Sequence, residues 1–402
     1  MNRVVVTGMG VASPIGHSLD LFWMALVEAR SGIRSLTVVP IAQLNTRIAA
    51  QIDDFAPLQH FEEKYANQLD RVSQFAVYAA RQALRDAALI ISEDIALEAA
   101  TIVGNAAGGQ TTVDEGYERL YRHNAARLHP LTIPRWMVNA AGCQVSIDLG
   151  LKGPAWTVAS ACASGTHAIG QAFHLLRHGH ASVALAGGAE ATLTVGTIKS
   201  WEALRVLSAD TCRPFSRTRS GMVLGEGAAM LVLETRDNAI RRGARIYAEL
   251  LGFGASSDAF DIVTADPAGG VRAMTAALRE SKLAPEDIDY VNAHGTGTVL
   301  NDRAESQAIR LTFGAHAEQL AISSCKAVLG HSLGAAGAFE LVATALALYT
   351  GTVPPTANFE EVDPECGLDF VPNVARRLPI ERAMSNSFAF GGLNAVIVLG
   401  RA

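Results

Sequence analysis

The sequence predicts an α/β protein whose sheets are covered by helices. Three observations carry this. Short apolar, β-branched runs alternate with alanine-rich runs of helical period along the whole chain. Hydrophobic residues make up 49% and charged residues 18% of 402 residues, enough to fill a large core. No glycine/serine- or proline-rich linker interrupts the alternation, so the chain reads as compact units packed on each other.

In order, the apolar runs predict strands over Val4–Thr7, Ala100–Gly104, Ala155–Val158, Val183–Ala186, Ala228–Glu234, Tyr247–Gly254, Tyr290–Ala293, Leu320–Ser323, Arg382–Ser387 and Ala395–Leu399. The helical runs fall between them, over Leu19–Glu28, Arg71–Ala87, Val138–Leu149, Ala163–Arg177, Gly270–Glu280, Arg303–Phe313 and Gly334–Tyr349. Pro285 marks the stop of the helix that ends near Lys282. A faint duplication divides residues 1–244 from 245–402. Each half opens on a strand that runs into glycine, near residues 3–10 and 246–254. Each then reaches a reactive-looking turn after a strand: Ala159–Cys162 in the first half and Ala293–Thr298 in the second.

Composition removes several function classes. A net charge of -6 provides no basic field for nucleic acid. Five cysteines form no CxxC pair, so neither a disulfide framework nor a zinc site is expected, and a reducing compartment fits. The chain starts at once on a strand pattern rather than a signal sequence. No charge-free apolar run reaches the roughly 18 residues of a membrane span. The expectation is a cytoplasmic protein.

Four segments carry candidate chemistry. In Thr157-Val158-Ala159-Ser160-Ala161-Cys162-Ala163-Ser164-Gly165-Thr166-His167 a strand ends and a helix begins beside the sulfur. The positive end of a helix favours thiolate, and small neighbours permit close substrate approach. The alternative is a buried structural cysteine. His294-Gly295-Thr296-Gly297-Thr298 puts a histidine in a glycine-rich turn after a strand, either aimed at a site or satisfied by its neighbours. Ser324–Gly337 brings Lys326 and His331 before a glycine- and alanine-rich helix. There, Lys326 is a site residue or a solvated one, and His331 a site residue or a helix cap. Glu340, in an apolar stretch of that helix, is exposed or is a buried partner of Lys326 or His331. The paired reading is favoured, because unpaired burial is costly. Asn386-Ser387-Phe388-Ala389-Phe390-Gly391-Gly392-Leu393-Asn394 offers two aromatics for the core or for a pocket wall.

Taken together and in this order, the four segments resemble the elongating β-ketoacyl-acyl carrier protein synthases. Gly8-Met9-Gly10, Arg213-Pro214-Phe215, Gly225-Glu226-Gly227-Ala228 and Ser256-Ser257-Asp258-Ala259-Phe260 extend the resemblance over nearly the whole chain. The resemblance implies a thiolase-like fold: two pseudo-symmetric halves, each with a mixed five-stranded sheet, in α-β-α-β-α layers. It places the family's catalytic Cys-His-His set on Cys162, His294 and His331, its lysine on Lys326 and its acidic helix residue on Glu340. The gate aromatic falls on Phe390, beside Phe388, and the oxyanion donors on the N–H groups of Cys162 and Phe390. Thr296 and Thr298 fall in the malonyl site and Ala107 at the deep end of the acyl pocket. Carrier-docking positions fall on Lys64, Arg127 and Arg205, with Asn67-Gln68 where relatives often carry basic side chains.

The implied activity is a decarboxylative condensation. Cys162 takes an acyl group from a carrier thioester, malonyl-carrier loses CO2, and the carbanion attacks the acyl-enzyme. The expectation is that the two neutral imidazoles stabilise enolate charge while Lys326 and Glu340 fix geometry. No metal or organic cofactor is expected. The expected partners are acyl carrier protein in acyl and malonyl forms and a second copy of the chain, or a chain-length factor in a heterodimer. Ala389 and Leu393 depart from the glycine and threonine usual in the aromatic loop. Ala107 stands where an isoleucine or glycine is usual. These departures point to a specialised pathway: nodulation-factor acyl chains, aryl polyenes or another polyketide. A thiolase would carry a second reactive cysteine near the C-terminus, where this chain has the Phe388–Phe390 loop. A starter-unit synthase would have asparagine at 331. A non-catalytic chain-length factor would lack the nucleophile, and a cysteine hydrolase would need only one histidine.

Overall fold

The computed structural model describes residues 1–402. The strands of its large sheet are β1 (Val4–Ala12), β2 (Ala100–Gly104), β3 (Ala155–Val158), β4 (Val183–Glu190), β5 (Gly227–Thr235), β6 (Ala248–Ser257), β7 (Tyr290–Asn292), β8 (Ala321–Ser323), β9 (Arg382–Ala389) and β10 (Leu393–Gly400). Every strand expected from the sequence is present, with ends shifted by up to five residues. The first half builds the sheet order β1-β5-β4-β2-β3 and the second β6-β10-β9-β7-β8. Within each half the first three neighbours pair antiparallel and the last three parallel. The two halves therefore share one topology. Their sheets join edge to edge where Val4, Val5 and Val6 of β1 meet Leu250, Glu249 and Ala248 of β6.

The principal helices are α1 (Leu19–Val27), α2 (Arg71–Asp86), α3 (Gln110–Tyr121), α4 (Ala140–Leu149), α5 (Ser164–Arg177), α6 (Val195–Leu204), α7 (Pro267–Ser281), α8 (Val299–Phe313) and α9 (Ala336–Thr350). Helices α2 and α4 cover the outer face of the first sheet, and α7 with α8 that of the second. Helices α5 and α9 fill the layer between the sheets. Close approach depends on glycine. A Cβ on Gly8 or Gly10 of β1 would sit 2.3 or 2.1 Å from the Ala83 or Ala79 carbonyl oxygen of α2. Gly252 and Gly254 of β6 stand in the same relation to Ala277 and Ala273 of α7, at 2.5 and 2.1 Å. The same device is thus used in both halves.

The repeat corrects one sequence expectation. Cys162 follows the third strand of its half, but His294 follows the second strand of its own. The topological counterpart of the Cys162 turn is therefore the Ser324–Lys326 turn after β8, and that of His294 is Asn105 after β2. Sequence likeness paired two turns that topology does not. Two of the principal helices, and several short ones, were also missed. Gln110–Tyr121 is mostly polar, and Val195–Leu204 opens on residues of low helix propensity. The second is set by Thr194, whose side chain accepts from the Thr197 N–H.

The segment Leu333–Thr350 is long and apolar enough to cross a membrane, yet 89% of it is buried between the two sheets.

Candidate active site

The two central helices position the site. Gly337 at the start of α9 lies so close to α5 that a Cβ would sit 1.9 Å from Thr166 Oγ1, and one on Gly165 would be 3.0 Å from the Ala338 nitrogen. This contact brings the loops preceding both helices together. Cys162 sits in the single 3-10 turn Ala161–Ala163 that leads into α5, with Ala161 held at φ 48°. His294 leaves β7 into a turn at Gly295, φ 37°, where a Cβ would lie 2.6 Å from Ser324 Cβ. His331 follows Gly330 at φ 62°. Its N–H donates to the Val223 carbonyl (2.7 Å) and its carbonyl accepts from Gly225 (2.9 Å). The Gly225-Glu226-Gly227 motif thus anchors the His331 backbone.

Cys162, His294 and His331 line one cavity of about 260 Å³, together with Thr296, Thr298, Phe388, Ala389, Phe390 and Arg205. The imidazoles meet edge to face with ring centroids 5.3 Å apart. Each Nδ1 is engaged from the protein side. Lys326 Nζ donates to His294 Nδ1 (3.2 Å), and the Leu333 N–H donates to His331 Nδ1 (3.2 Å). In neutral rings both protons therefore sit on Nε2. Burial holds both histidines well below their usual range, with Lys326 adding to the effect and His331 acting further on His294. Both are uncharged at neutral pH.

Lys326 is buried and its three N–H donors are spent on Glu340 Oε1, the His294 carbonyl (2.6 Å) and His294 Nδ1. Glu340 pairs with Lys326 rather than His331, and Ser387 Oγ donates to its other oxygen at 3.5 Å. Burial pushes this carboxyl up and Lys326 pulls it down, leaving it above the ordinary value. At Cys162 burial works against the helix end that favours thiolate. Burial pushes the Cys162 thiol up to about 12, with Lys326 opposing, Glu190 adding and the Phe390 N–H opposing. The thiol is only 6% exposed, so desolvation of the thiolate opposes the helix end.

The aromatic loop closes the cavity. Phe390 stacks on Trp201, centroids 5.8 Å apart, and Phe388 lies 6.1 Å from His294. Thr296 Oγ1 and Thr298 Oγ1 are 2.9 Å apart at its wall. Asp258 holds the loop from behind: its N–H donates to the Gly392 carbonyl (2.8 Å) and its Oδ1 accepts from Asn394 Nδ2 (2.6 Å). Ala107 lies outside the cavity lining, half-buried, with its N–H on Glu190 Oε1 (3.3 Å). Lys64 and Arg127 are exposed and away from the cavity; of the three docking candidates, Arg205 alone lies at its rim. The sequence reading missed Trp201 and three buried acids: Glu190, Asp302 and Glu305. Glu305 accepts from the His294 and Gly295 N–H groups (2.8 and 2.7 Å), and burial pushes it to about 7. Asp302 accepts from Phe215 N–H at 2.7 Å. Acids of α8 facing inward were a legible signal, since Asp302 and Glu305 are three apart on one helix face.

A cysteine, two neutral imidazoles and a charge-paired lysine on this twofold fold define the class of carbon–carbon condensing acyltransferases. The particular family follows from comparison: residues 1–239 match "Beta-ketoacyl synthase, N-terminal domain" and residues 247–360 match "Beta-ketoacyl synthase, C-terminal domain". The chain belongs to the beta-ketoacyl synthase family. It is 45% identical to "Nodulation protein E" of Rhizobium sp. (strain N33) over 98% of each chain. It is 42% identical to "3-oxoacyl-[acyl-carrier-protein] synthase 2" of Coxiella burnetii, covering 99% of this chain and 98% of that one. Among solved structures, "The ishigamide ketosynthase/chain length factor" superposes with a TM-score of 0.95 at 35% identity, covering 100% of this chain and 99% of that one.

Proposed function

We propose that this β-ketoacyl synthase elongates acyl chains held on an acyl carrier protein, with Cys162 as nucleophile and His294 and His331 as donors to the enolate of decarboxylating malonyl-carrier. The observation that carries this is the pair of Nδ1 atoms already occupied beside Cys162, which leaves two Nε2–H groups for a substrate oxygen. Enolate charge develops only as CO2 departs, so preorganised neutral donors lower the barrier without binding the ground state more tightly. The N–H groups of Phe390 and Cys162 serve the oxyanion of transacylation. Lys326, with all donors committed, holds His294 rather than reacting, and Glu340 holds Lys326. Thr296 and Thr298 receive the malonyl arm.

The test is intact-protein mass after exposure to a panel of acyl-carrier thioesters, with CO2 release from malonyl-carrier and thiolysis of acetoacetyl-coenzyme A run alongside. An acyl adduct with decarboxylation supports the reading; thiolysis without decarboxylation refutes it. Replacing His294 or His331 by alanine is expected to slow CO2 release about 10²–10³-fold, the usual cost of one such donor, while acylation of Cys162 continues.

The acyl chain is proposed to run behind the Trp201–Phe390 stack. Thr197, one helical turn from Trp201, reaches Gln110 (3.5 Å), and Gln110 Nε2 donates to the Ala107 carbonyl (2.6 Å). Ala107→Phe should shift the loaded chains toward shorter ones in the same mass assay; an unchanged distribution removes Ala107 from the pocket. The protein is read as cytoplasmic, with halves at 1–244 and 245–402. It is also read as a dimer across β3, a free sheet edge where Ala155 and Trp156 are exposed. The second chain is another copy or a chain-length factor. Arg205 at the cavity rim, with Lys64 and Arg127, meets the acidic carrier. The pathway reading remains a specialised one, such as nodulation-factor acyl chains or a polyketide.

A further inference from the structure

We propose that Glu190 is a positioning residue for the decarboxylation step, holding the turn that sets the tautomer of His331. This rests on the reading of His331 as an enolate donor.

Glu190 ends β4 with no exposed surface. Its Oε2 accepts from the N–H groups of Ala106 (2.9 Å) and Gly334 (3.0 Å), and its Oε1 from Ala107 N–H and Asn105 Nδ2 (both 3.3 Å). Four N–H donors and no cation surround it. A buried carboxylate without a counter-charge is expensive, and here three backbone N–H groups and the Asn105 amide stand in for one. Gly334 is what admits it: a Cβ there would lie 2.7 Å from Oε2. The residue before Gly334 is Leu333, held at φ 45°, and its N–H is the donor to His331 Nδ1. One carboxylate thus ties a loop of the first half to the turn of the second half that directs an imidazole N–H into the cavity. Burial pushes Glu190 to about 7 against these N–H bonds, and its charge raises the Cys162 thiol in turn.

Glutamine at 190 keeps the shape but turns an NH2 group toward N–H donors, so part of the cradle is left unmatched. The Leu333 turn is then free to release Nδ1. In Glu190→Gln, CO2 release from malonyl-carrier is expected to fall about 10–100-fold, as when the outer partner of a ligating histidine is lost. Acylation of Cys162 should be no slower than in wild type, because a negative charge beside the thiol is gone. The ¹⁵N signals of His331 should move from the Nε2–H form toward a mixture. Glu190→Asp, which keeps the charge, should show the same split with a smaller loss. Equal losses in both half-reactions, no loss in either, or an unmoved His331 signal would overturn the proposal. So would loss of the fold in both variants, which assigns Glu190 to the fold alone. Wild-type enzyme that neither loads nor decarboxylates sinks the functional reading instead, a result distinct from all of these.

Discussion

Cys162→Ala is expected to lower condensation by a factor on the order of 10⁶, the scale seen when a covalent nucleophile is removed, while CO2 release from malonyl-carrier persists. The two effects separate because the two half-reactions use different atoms. Acyl transfer needs the sulfur. Decarboxylation needs the two Nε2–H groups, and those are set by Lys326 and Leu333, neither of which touches Cys162 through a hydrogen bond. The mass adduct should vanish as well. Cys212, Cys325 and Cys366 are buried, and burial pushes their thiols up to about 12, 12 and 11, so they do not substitute. Cys143 is exposed, so peptide mapping of any residual adduct is part of the measurement. An acyl group found on a residue of the cavity in the alanine variant, or CO2 release lost together with condensation, contradicts the division of labour.

The elements that the sequence made legible were those with a strong internal period. Most of the ten main strands and the buried helices announce themselves because a strand buried on both faces is a continuous apolar run, and α9 is an alanine- and leucine-rich run around a single acid. The residues that share the cavity were legible where a reactive side chain sits in a turn of small residues, alanine and serine around Cys162 and glycine beside His294 and His331. Three features were not. The upward push on the Cys162 thiol depends on how deeply the turn is buried, which no local pattern encodes. Glu190 looks like the end of a strand, and its role appears only once Gly334, 144 residues away, is brought against it. The equivalence of the two halves was blurred because likeness of turns competes with order of strands, and only the pairing order decides it.

Lys326→Met should cost about 3–5 kcal/mol of stability at neutral pH, the usual penalty for removing one partner of a buried ion pair. Both side chains are only 2% exposed, so water replaces nothing when the ammonium is lost. Glu340 then faces burial with only the long contact from Ser387 to support its charge. Its carboxyl already stands above the ordinary value with Lys326 present, and removing that cation drives it further up. The sign of the pH dependence follows. A carboxyl whose folded pKa is raised binds its proton more tightly in the native state than in the unfolded chain. The variant's stability deficit is therefore smallest near the unfolded value, about pH 4.3. It grows by about 1.4 kcal/mol per pH unit up to the folded value. Wild type, where the charge is compensated, should show a shallower slope over the same range. Replacing both partners, Lys326→Met with Glu340→Leu, should recover most of the stability and none of the decarboxylation, because His294 Nδ1 has lost its donor and the ring its fixed tautomer. Urea unfolding of the three proteins between pH 5 and 8, with CO2 release measured on each, reads both quantities. Recovery of CO2 release in the double variant would show that the pair serves the fold and leaves His294 unaided.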